Sequence, residues 1–465
     1  MRFKIVVMLA QLILVGCSHL EKNPSAVSKS DKNSTFSIRA PKLKVEKIIL
    51  SNGLTVLLVE NHRLPVFGYY TFYNVGSKNE PKGMSGVTHY LEHMMFKGAK
   101  KYGPGKFDVN VESRGGSSNA YTTFDLTVYH ELMPKNALNL IIDMEADRMM
   151  NVALEKKSFD KEKHIILEER KLRYENSPQG KLLLTMTKNI YKKTPYEEAI
   201  IGRKKDIKNY TVKGVREYFK KYYAPNNAIL VIVGDIDTDE TIEKIKTAYS
   251  TIPRSDLIRS NVVNKKEYIV IKPRGISKKI NGRSRNVKFM LAQSGGAIGT
   301  KEAYLRDILG IILGGGESSY LVQKYVNSKR PLLTNIYAYN YGLHHSGIFL
   351  VGGEVLYGKH YKTFLKQFKK DRKNMCKKAV NSRNLQKAKN HYFVEYFSAL
   401  ETNAGIASFL GEQELVFGDY SHYQKEVEKY NEINLTDVQI LCRKLFVKNQ
   451  YDSFAVWDKY KERKL

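Results

Sequence analysis

The chain has 465 residues, of which 42% are hydrophobic and 27% charged, a globular composition that excludes a disordered or low-complexity chain. Lys and Arg number 77 against 47 Asp and Glu, a formal charge of +30 that suits an anionic partner or surface without identifying one. Three cysteines are too few for a disulfide scaffold, and the length allows two or three domains at about 100–200 residues each.

The N-terminus reads as an address. Arg2 and Lys4 precede an apolar run from Ile5 to Val15, broken only by Gln11. A bilayer span needs about 20 residues, so this run is too short to cross and has signal-peptide length. It ends in Leu14-Val15-Gly16-Cys17, which resembles a bacterial lipobox; Cys17 would then carry lipid and become the first mature residue. Ser18, not Asp, follows, which in such lipoproteins implies outer-membrane sorting. Residues 1–16 are therefore expected to be a lipoprotein signal peptide, and residues 17–44, rich in Ser, Lys, Asn and Pro, a solvated tether. The expected location is the bacterial cell envelope, lipid-anchored at the periplasmic face of the outer membrane, which argues against nucleic acid as the working partner. Cys376 and Cys442 could pair in an oxidising compartment, though no pattern requires it.

Asn52-Gly53 is a turn signal, and Leu54–Val59 and Val66–Val75 read as strands. Gly83–Gly98 carries helix punctuation, with Ser85 as N-cap and Gly98 as stop. A short helix is expected over Phe107–Ser113, extended chain over Ser117–His130, and helices over Ala137–Met150 and Lys161–Tyr174. Ala228–Val233 reads as a buried strand. After a polar linker at 254–266 the order recurs: strands near Tyr268–Ile271 and Val287–Gln293, a helix near Ala303–Leu313, and strands near Leu333–Tyr337 and Gly347–Val351. Helices at Asn384–Leu410 and Thr436–Leu445 end the chain. The recurrence predicts a duplicated α+β fold, with domains at 45–253 and 267–465.

The chemistry concentrates in His89-Tyr90-Leu91-Glu92-His93. Two histidines four apart on a helix project from one face, so both imidazoles can reach one ion, and imidazole is a favoured zinc ligand. Glu92 lies beside that face, where it can take a proton from water without ligating the metal. A catalytic zinc normally has three protein ligands, so one more is needed. Glu162, Glu168 and Glu169 cluster on a later helix, and spacing alone leaves all three open.

A longer series of residues carries a resemblance. It runs through Asn52-Gly53-Leu54, Glu80–Gly86, His89–Gly98, Gly115-Gly116, Asn119-Ala120-Tyr121-Thr122, Asp125, Glu145–Arg148 and Lys163–Arg173. It continues through Pro195-Tyr196, Ile201-Gly202, Pro225–Ala228 and Gly234-Asp235. In these the chain resembles the insulinase/pitrilysin/mitochondrial processing peptidase family of zinc metallopeptidases. The resemblance implies two similar domains, each a mixed, largely antiparallel sheet packed with helices, arranged as a half-clamshell. It makes His89, His93 and Glu169 the ligands of one Zn2+ per chain, Glu92 the general base, and Glu162 an acid that steadies a ligand. It also implies that Asn119 and Ala120 hold a peptide or unfolded protein as an added strand.

The second half departs from the family pattern. The residues that align with an Arg and Tyr used by many members to hold substrate main chain are Asn327 and Thr334; a shifted register would offer Arg330 and Tyr337. Members built from two chains divide these functions, so a homodimer, or a heterodimer with a metal-free homologue, is expected. The competing reading is a catalytically weak scaffold or partner-binding member of the same family. His344-His345 are adjacent and point to different sides of any regular element, so they read as structural or surface residues, as do His130 and His164.

Overall fold

This computed structural model describes residues 38–257, 269, 274–282, 284, 286–355, 358–448 and 451–457. Cys17, the expected signal peptide and the expected tether up to residue 37 lie outside them, as do most of the 254–266 linker and of the expected strand at Tyr268–Ile271. No helix among the described residues is long and apolar enough to cross a membrane.

Among the described residues eleven strands form two sheets. The first contains β1 (Glu46–Ile49), β2 (Thr55–Glu60), β3 (Val66–Tyr73), β4 (Ser117–Thr122), β5 (Thr127–Pro134) and β6 (Ala228–Gly234), in the order β1-β2-β6-β3-β5-β4. The second contains β7 (Ser277–Asn281), β8 (Val287–Gly295), β9 (Asn335–Gly342), β10 (Gly347–Val355) and β11 (Asp452–Trp457), in the order β7-β11-β8-β10-β9. Each sheet has one parallel pair, β2 with β6 and β7 with β11, and the rest is antiparallel. Without β1 the two orders superimpose, β2 on β7, β6 on β11, β3 on β8, β5 on β10 and β4 on β9. The fold is thus α+β with a repeated unit, as the recurrence predicts.

The apolar runs of β2 and β6 are continuous because both faces of the first sheet are covered. Val56, Leu58, Leu230 and Ile232 enter the core of the first half, while Leu57, Val59, Val231 and Val233 enter the core of the second. The second cover comes from helix Asn403–Phe417, which lies on β3 and β6. There a Cβ on Gly411 would stand 2.1 Å from the Phe72 ring, so only glycine permits the approach. The exchange is mutual. Helix Pro178–Ile190 of the first half packs on β8 and β11, with Leu182 and Met186 against Met290, Ala292, Phe454 and Val456. The two halves expected from the chain order therefore interlock in space.

Three local expectations change. Helix Val87–Met95 starts after Gly86, not at Ser85, because Gly86 adopts φ 90 and turns the chain into the helix. The Ser85 hydroxyl instead donates to Asp206 Oδ2 at 2.5 Å. Residues 38–44, expected as the end of the tether, lie on the second half: Ile38, Ala40 and Leu43 pack against its core, and Tyr423 donates to the Pro41 carbonyl at 2.8 Å. Helix Gly358–Ala379 was not anticipated, and its Cys376 is disulfide-bonded to Cys442 on helix Leu435–Arg443.

Candidate metal centre

The helix Val87–Met95 has two functions, divided by face. Val87, Tyr90, Leu91, Met94 and Met95 are buried in the first-half core, which leaves His89, Glu92 and His93 on the remaining stripe. Its first amides have no partner within the helix. Glu80 supplies one, accepting from the Gly86 and Thr88 N–H groups at 2.6 and 3.0 Å. Burial pushes the Glu80 carboxyl up to about 8. The chain crosses Ile201-Gly202 at this point; a Cβ on Gly202 would meet the Ser85 carbonyl oxygen at 2.0 Å, and one on Gly86 the Ile201 oxygen at 2.6 Å. That close crossing explains why both positions are glycine.

Helix Lys156–Arg170 lies across this stripe and brings acids to it. Glu169 Oε2 stands 3.8 Å from His89 Nε2 and 3.5 Å from His93 Nε2. One ligand atom from each of His89, His93 and Glu169 lies within 4.8 Å of the other two. A tetrahedral zinc with bonds near 2.1 Å sets its donors about 3.4 Å apart, so the two distances to Glu169 suit such an ion. The donor chemistry agrees. Nδ1 of His93 is 2.8 Å from Glu162 Oε1, and a proton on that nitrogen leaves the Nε2 lone pair for an ion. Glu162 is in turn held by Lys97 Nζ at 3.0 Å. Glu169 uses its other oxygen, Oε1, for Arg173 at 3.0 Å. Glu168 turns outward to Lys171 at 3.3 Å, so the three acids left open by spacing are separated by position.

The electrostatics follow from burial. Desolvation, with smaller contributions from His93 and Arg173, holds the His89 imidazole down to about 3, which favours its neutral form. Its Nδ1 is buried without a hydrogen-bond partner among the described residues. Burial also lowers His93, but the Glu162 hydrogen bond and the surrounding carboxylates outweigh it and raise that imidazole overall. Burial pushes Glu92 up to about 7 against the opposing pull of Thr122 and His93. Glu92 Oε2 accepts from the Thr122 hydroxyl on β4, which ties the acid to the sheet edge.

Other anticipated residues divide. Asn119 and Ala120 lie on β4, the outer strand of its sheet, which pairs only with β5 among the described residues. Asn119 Oδ1 accepts from the Ala120 N–H at 2.8 Å. In the second half Asn327 donates to Glu317 and Thr334 to the Glu354 carbonyl, so both serve their own half. Arg330 is exposed, and Tyr337 stacks on Tyr339 along β9. His130 stacks on Tyr70 and is held down to about 4 by burial, and His164 is exposed, both away from the cluster.

His344 has a larger role than its sequence context suggests. Asp125, in the turn between β4 and β5, meets Lys78 Nζ at 2.9 Å, the Tyr196 hydroxyl at 2.8 Å and the His344 N–H at 3.0 Å. This buried group joins the hairpin bearing Asn119, Ala120 and Thr122 to the turn between β9 and β10. Thr122 and Lys97 were also not singled out. Lys97 was readable, four residues after His93 on the same face; Thr122 shares the strand face of Ala120, two residues on.

Comparison with known proteins gives the following. The family model described as Insulinase (Peptidase family M16) matches residues 57–204, and that described as Peptidase M16 inactive domain matches residues 209–392. The zinc protease PqqE of Helicobacter pylori is 28% identical over 431 residues, covering 88% of this chain and 91% of that protein. A protease from Helicobacter pylori of known structure superimposes with a TM-score of 0.80 at 26% identity, over 90% of this chain and 100% of that one. The periplasmic protease PqqL from Escherichia coli superimposes at 0.70 and 18% identity, over 92% of this chain but 49% of that one, a likeness of fold alone.

Proposed function

Because the chain belongs to the insulinase family, peptidase family M16, we propose that it is a zinc-dependent endopeptidase that hydrolyses peptides or unfolded polypeptide segments. The observation that carries the proposal is the convergence of His89, His93 and Glu169 on one point, with Glu92 beside it. Those three side chains would hold one Zn2+. When bound, the ion lowers the pKa of a ligated water and polarises the scissile carbonyl.

The remaining work belongs to the chain itself. Glu92 takes the proton from the attacking water and returns it to the leaving amine. A carboxyl poised near 7 can do both, and the Thr122 hydroxyl keeps the Glu92 Oε2 atom oriented. Glu162 fixes the ring of His93 and so aims Nε2. The open edge of β4 presents main-chain donors and acceptors on the side away from β5, so an extended peptide adds as a further strand beside Asn119 and Ala120. Such recognition reads backbone more than side chains, which suits peptides and unfolded segments.

The test is Glu92→Gln, which keeps the metal donors and removes the base. Cleavage of a quenched peptide is expected to fall by about 10²–10⁴-fold with zinc still bound. Turnover at the wild-type rate by zinc-loaded Glu92→Gln protein would sink the assignment.

The second half bears on the alternative of a catalytically weak scaffold, because Asn327 and Thr334 carry neither a cation nor a phenol and are committed to their own half. The complete set of His89, Glu92, His93 and Glu169 weighs towards the enzyme. The missing cation also supports a heterodimer in which a metal-free homologue supplies it, since a second copy of this chain carries the same Asn327 and Thr334. The Leu14–Cys17 run supports lipid anchorage in the cell envelope, and the periplasmic name of the PqqL relative agrees with that compartment.

A further inference from the structure

Helix Gly358–Ala379 is amphipathic in an unusual way. Tyr361, Phe364, Phe368, Met375, Cys376 and Ala379 bury one face in the second-half core. On the other face Lys362, Lys366, Lys369, Lys370, Lys373 and Lys377 are all exposed. At 3.6 residues per turn these six occupy an arc of about 100°, and from Lys362 to Lys377 they run about 22 Å. The helix contains one acid, Asp371, and it is already engaged by Lys324 at 2.9 Å and by the Tyr325 hydroxyl at 2.7 Å. None of the six lysines has an ion pair among the described residues.

Several other exposed helices place acids beside some of their lysines: Lys156 pairs with Asp160, Lys244 with Glu240, Lys246 with Glu243 and Lys429 with Glu432, each three or four residues away. Along the ridge those same spacings hold another lysine. Like charges one turn apart oppose helix formation, so the pattern works against the fold unless an outside anion relieves it.

The ridge is also remote from the cluster. Phe289, Leu291, Phe349 and Val351 lie on the face of the second sheet that this helix covers, whereas Met290, Ala292, Ile348 and Leu350 face helix Pro178–Ile190, which follows the metal-bearing segment. The sheet separates the two, so the ridge is poorly placed to guide peptides to His89 and His93. A straight row on a rod suits a flat, laterally extended anion.

We propose that the Lys362–Lys377 ridge docks the protein on an anionic lipid surface, with the helix axis parallel to the bilayer plane. Phosphate groups of neighbouring headgroups pair with successive turns, each lysine adding to the hold. The partner is a membrane, not a nucleic acid. A duplex would take the same charges, and the test separates the two.

The purified full chain is sedimented with vesicles of 30% phosphatidylglycerol in phosphatidylcholine, and with phosphatidylcholine alone to subtract any insertion of the N-terminal run. The comparison is with a variant carrying Lys→Gln at 362, 366, 370, 373 and 377, and with a control carrying Lys→Gln at 205, 208, 213, 220 and 221, exposed lysines of the first half. Phosphatidylglycerol-dependent binding is expected to weaken at least about tenfold in the ridge variant and to change little in the control. Binding of the wild type should fall as NaCl is raised from about 0.05 to 0.5 M, a check that needs no variant. Equal losses in both variants, salt-insensitive binding, or ridge-dependent binding to duplex DNA without binding to the anionic vesicles would overturn the proposal.

Discussion

The two halves share a strand order but differ in the helix that follows their second equivalent strand. In the first half β3 leads to Val87–Met95, whose outer stripe is His89, Glu92 and His93. In the second, β8 leads to Lys301–Gly314, in which Ala303, Tyr304, Leu305, Ile308, Leu309, Ile311, Ile312 and Leu313 are all buried. The same place in the fold therefore holds a polar cluster in one copy and a mainly aliphatic core in the other, where the buried Arg306 is paired with Glu302 at 2.6 Å. The difference has a thermodynamic side. Burial pushes Glu80 up to about 8 and Glu92 up to about 7 and holds His89 down to about 3, each opposing the charged form. The first half buries several ionisable groups where its counterpart is mainly aliphatic, and the second half contributes helix Asn403–Phe417 to cover the first sheet. The lesson is a division of labour: one copy carries the candidate metal cluster and the other covers the opposite face of its sheet.

The strongest way to break this arrangement is at the joint between halves. In Asp125→Asn, Lys78 loses its carboxylate in a buried setting and keeps only the His344 ring nitrogen at 2.9 Å, and unfolding free energy should drop by about 3–5 kcal/mol by thermal or urea denaturation. Burial alone would raise the Asp125 carboxyl, but His344 and Lys78 outweigh it and hold it well below the usual carboxylate range. A carboxyl depressed in the folded state contributes stability above its unfolded pKa and loses it as pH falls through the folded one. The wild type should therefore lose stability on acidification more steeply than Asp125→Asn. Equal acid sensitivity would remove Asp125 from the joint.

A smaller change sharpens the contrast within the first half. Glu162→Gln leaves the three donors in place but weakens the hold on His93, and zinc affinity is expected to fall about 10–100-fold in a competition titration with a chelator. Unchanged affinity would mean that His93 is oriented by packing alone.

Legibility in the sequence followed the range of each interaction. His89, Glu92 and His93 are neighbours on one helix, so their spacing displays their shared face. Glu169 came only through the longer family pattern, since Glu162 and Glu168 fit the local spacing equally well. The Asp125–His344 contact joins residues 219 apart, and no local period marks it. Strand positions were readable from the apolar runs of β2 and β6. Which element covers each face was not, because Gly411 meets Phe72 only after the chain has closed on itself. Ser85 was misassigned as a cap for a related reason: its partner, Asp206, lies far along the chain.

The central claim is that the first half alone carries a metal built from His89, His93 and Glu169. Metal analysis of purified wild-type and Glu169→Ala chains, each equilibrated with zinc and freed of excess, tests it most directly. One zinc per wild-type chain and a large loss in Glu169→Ala is the predicted result; stoichiometric zinc in both, or none in the wild type, would contradict it.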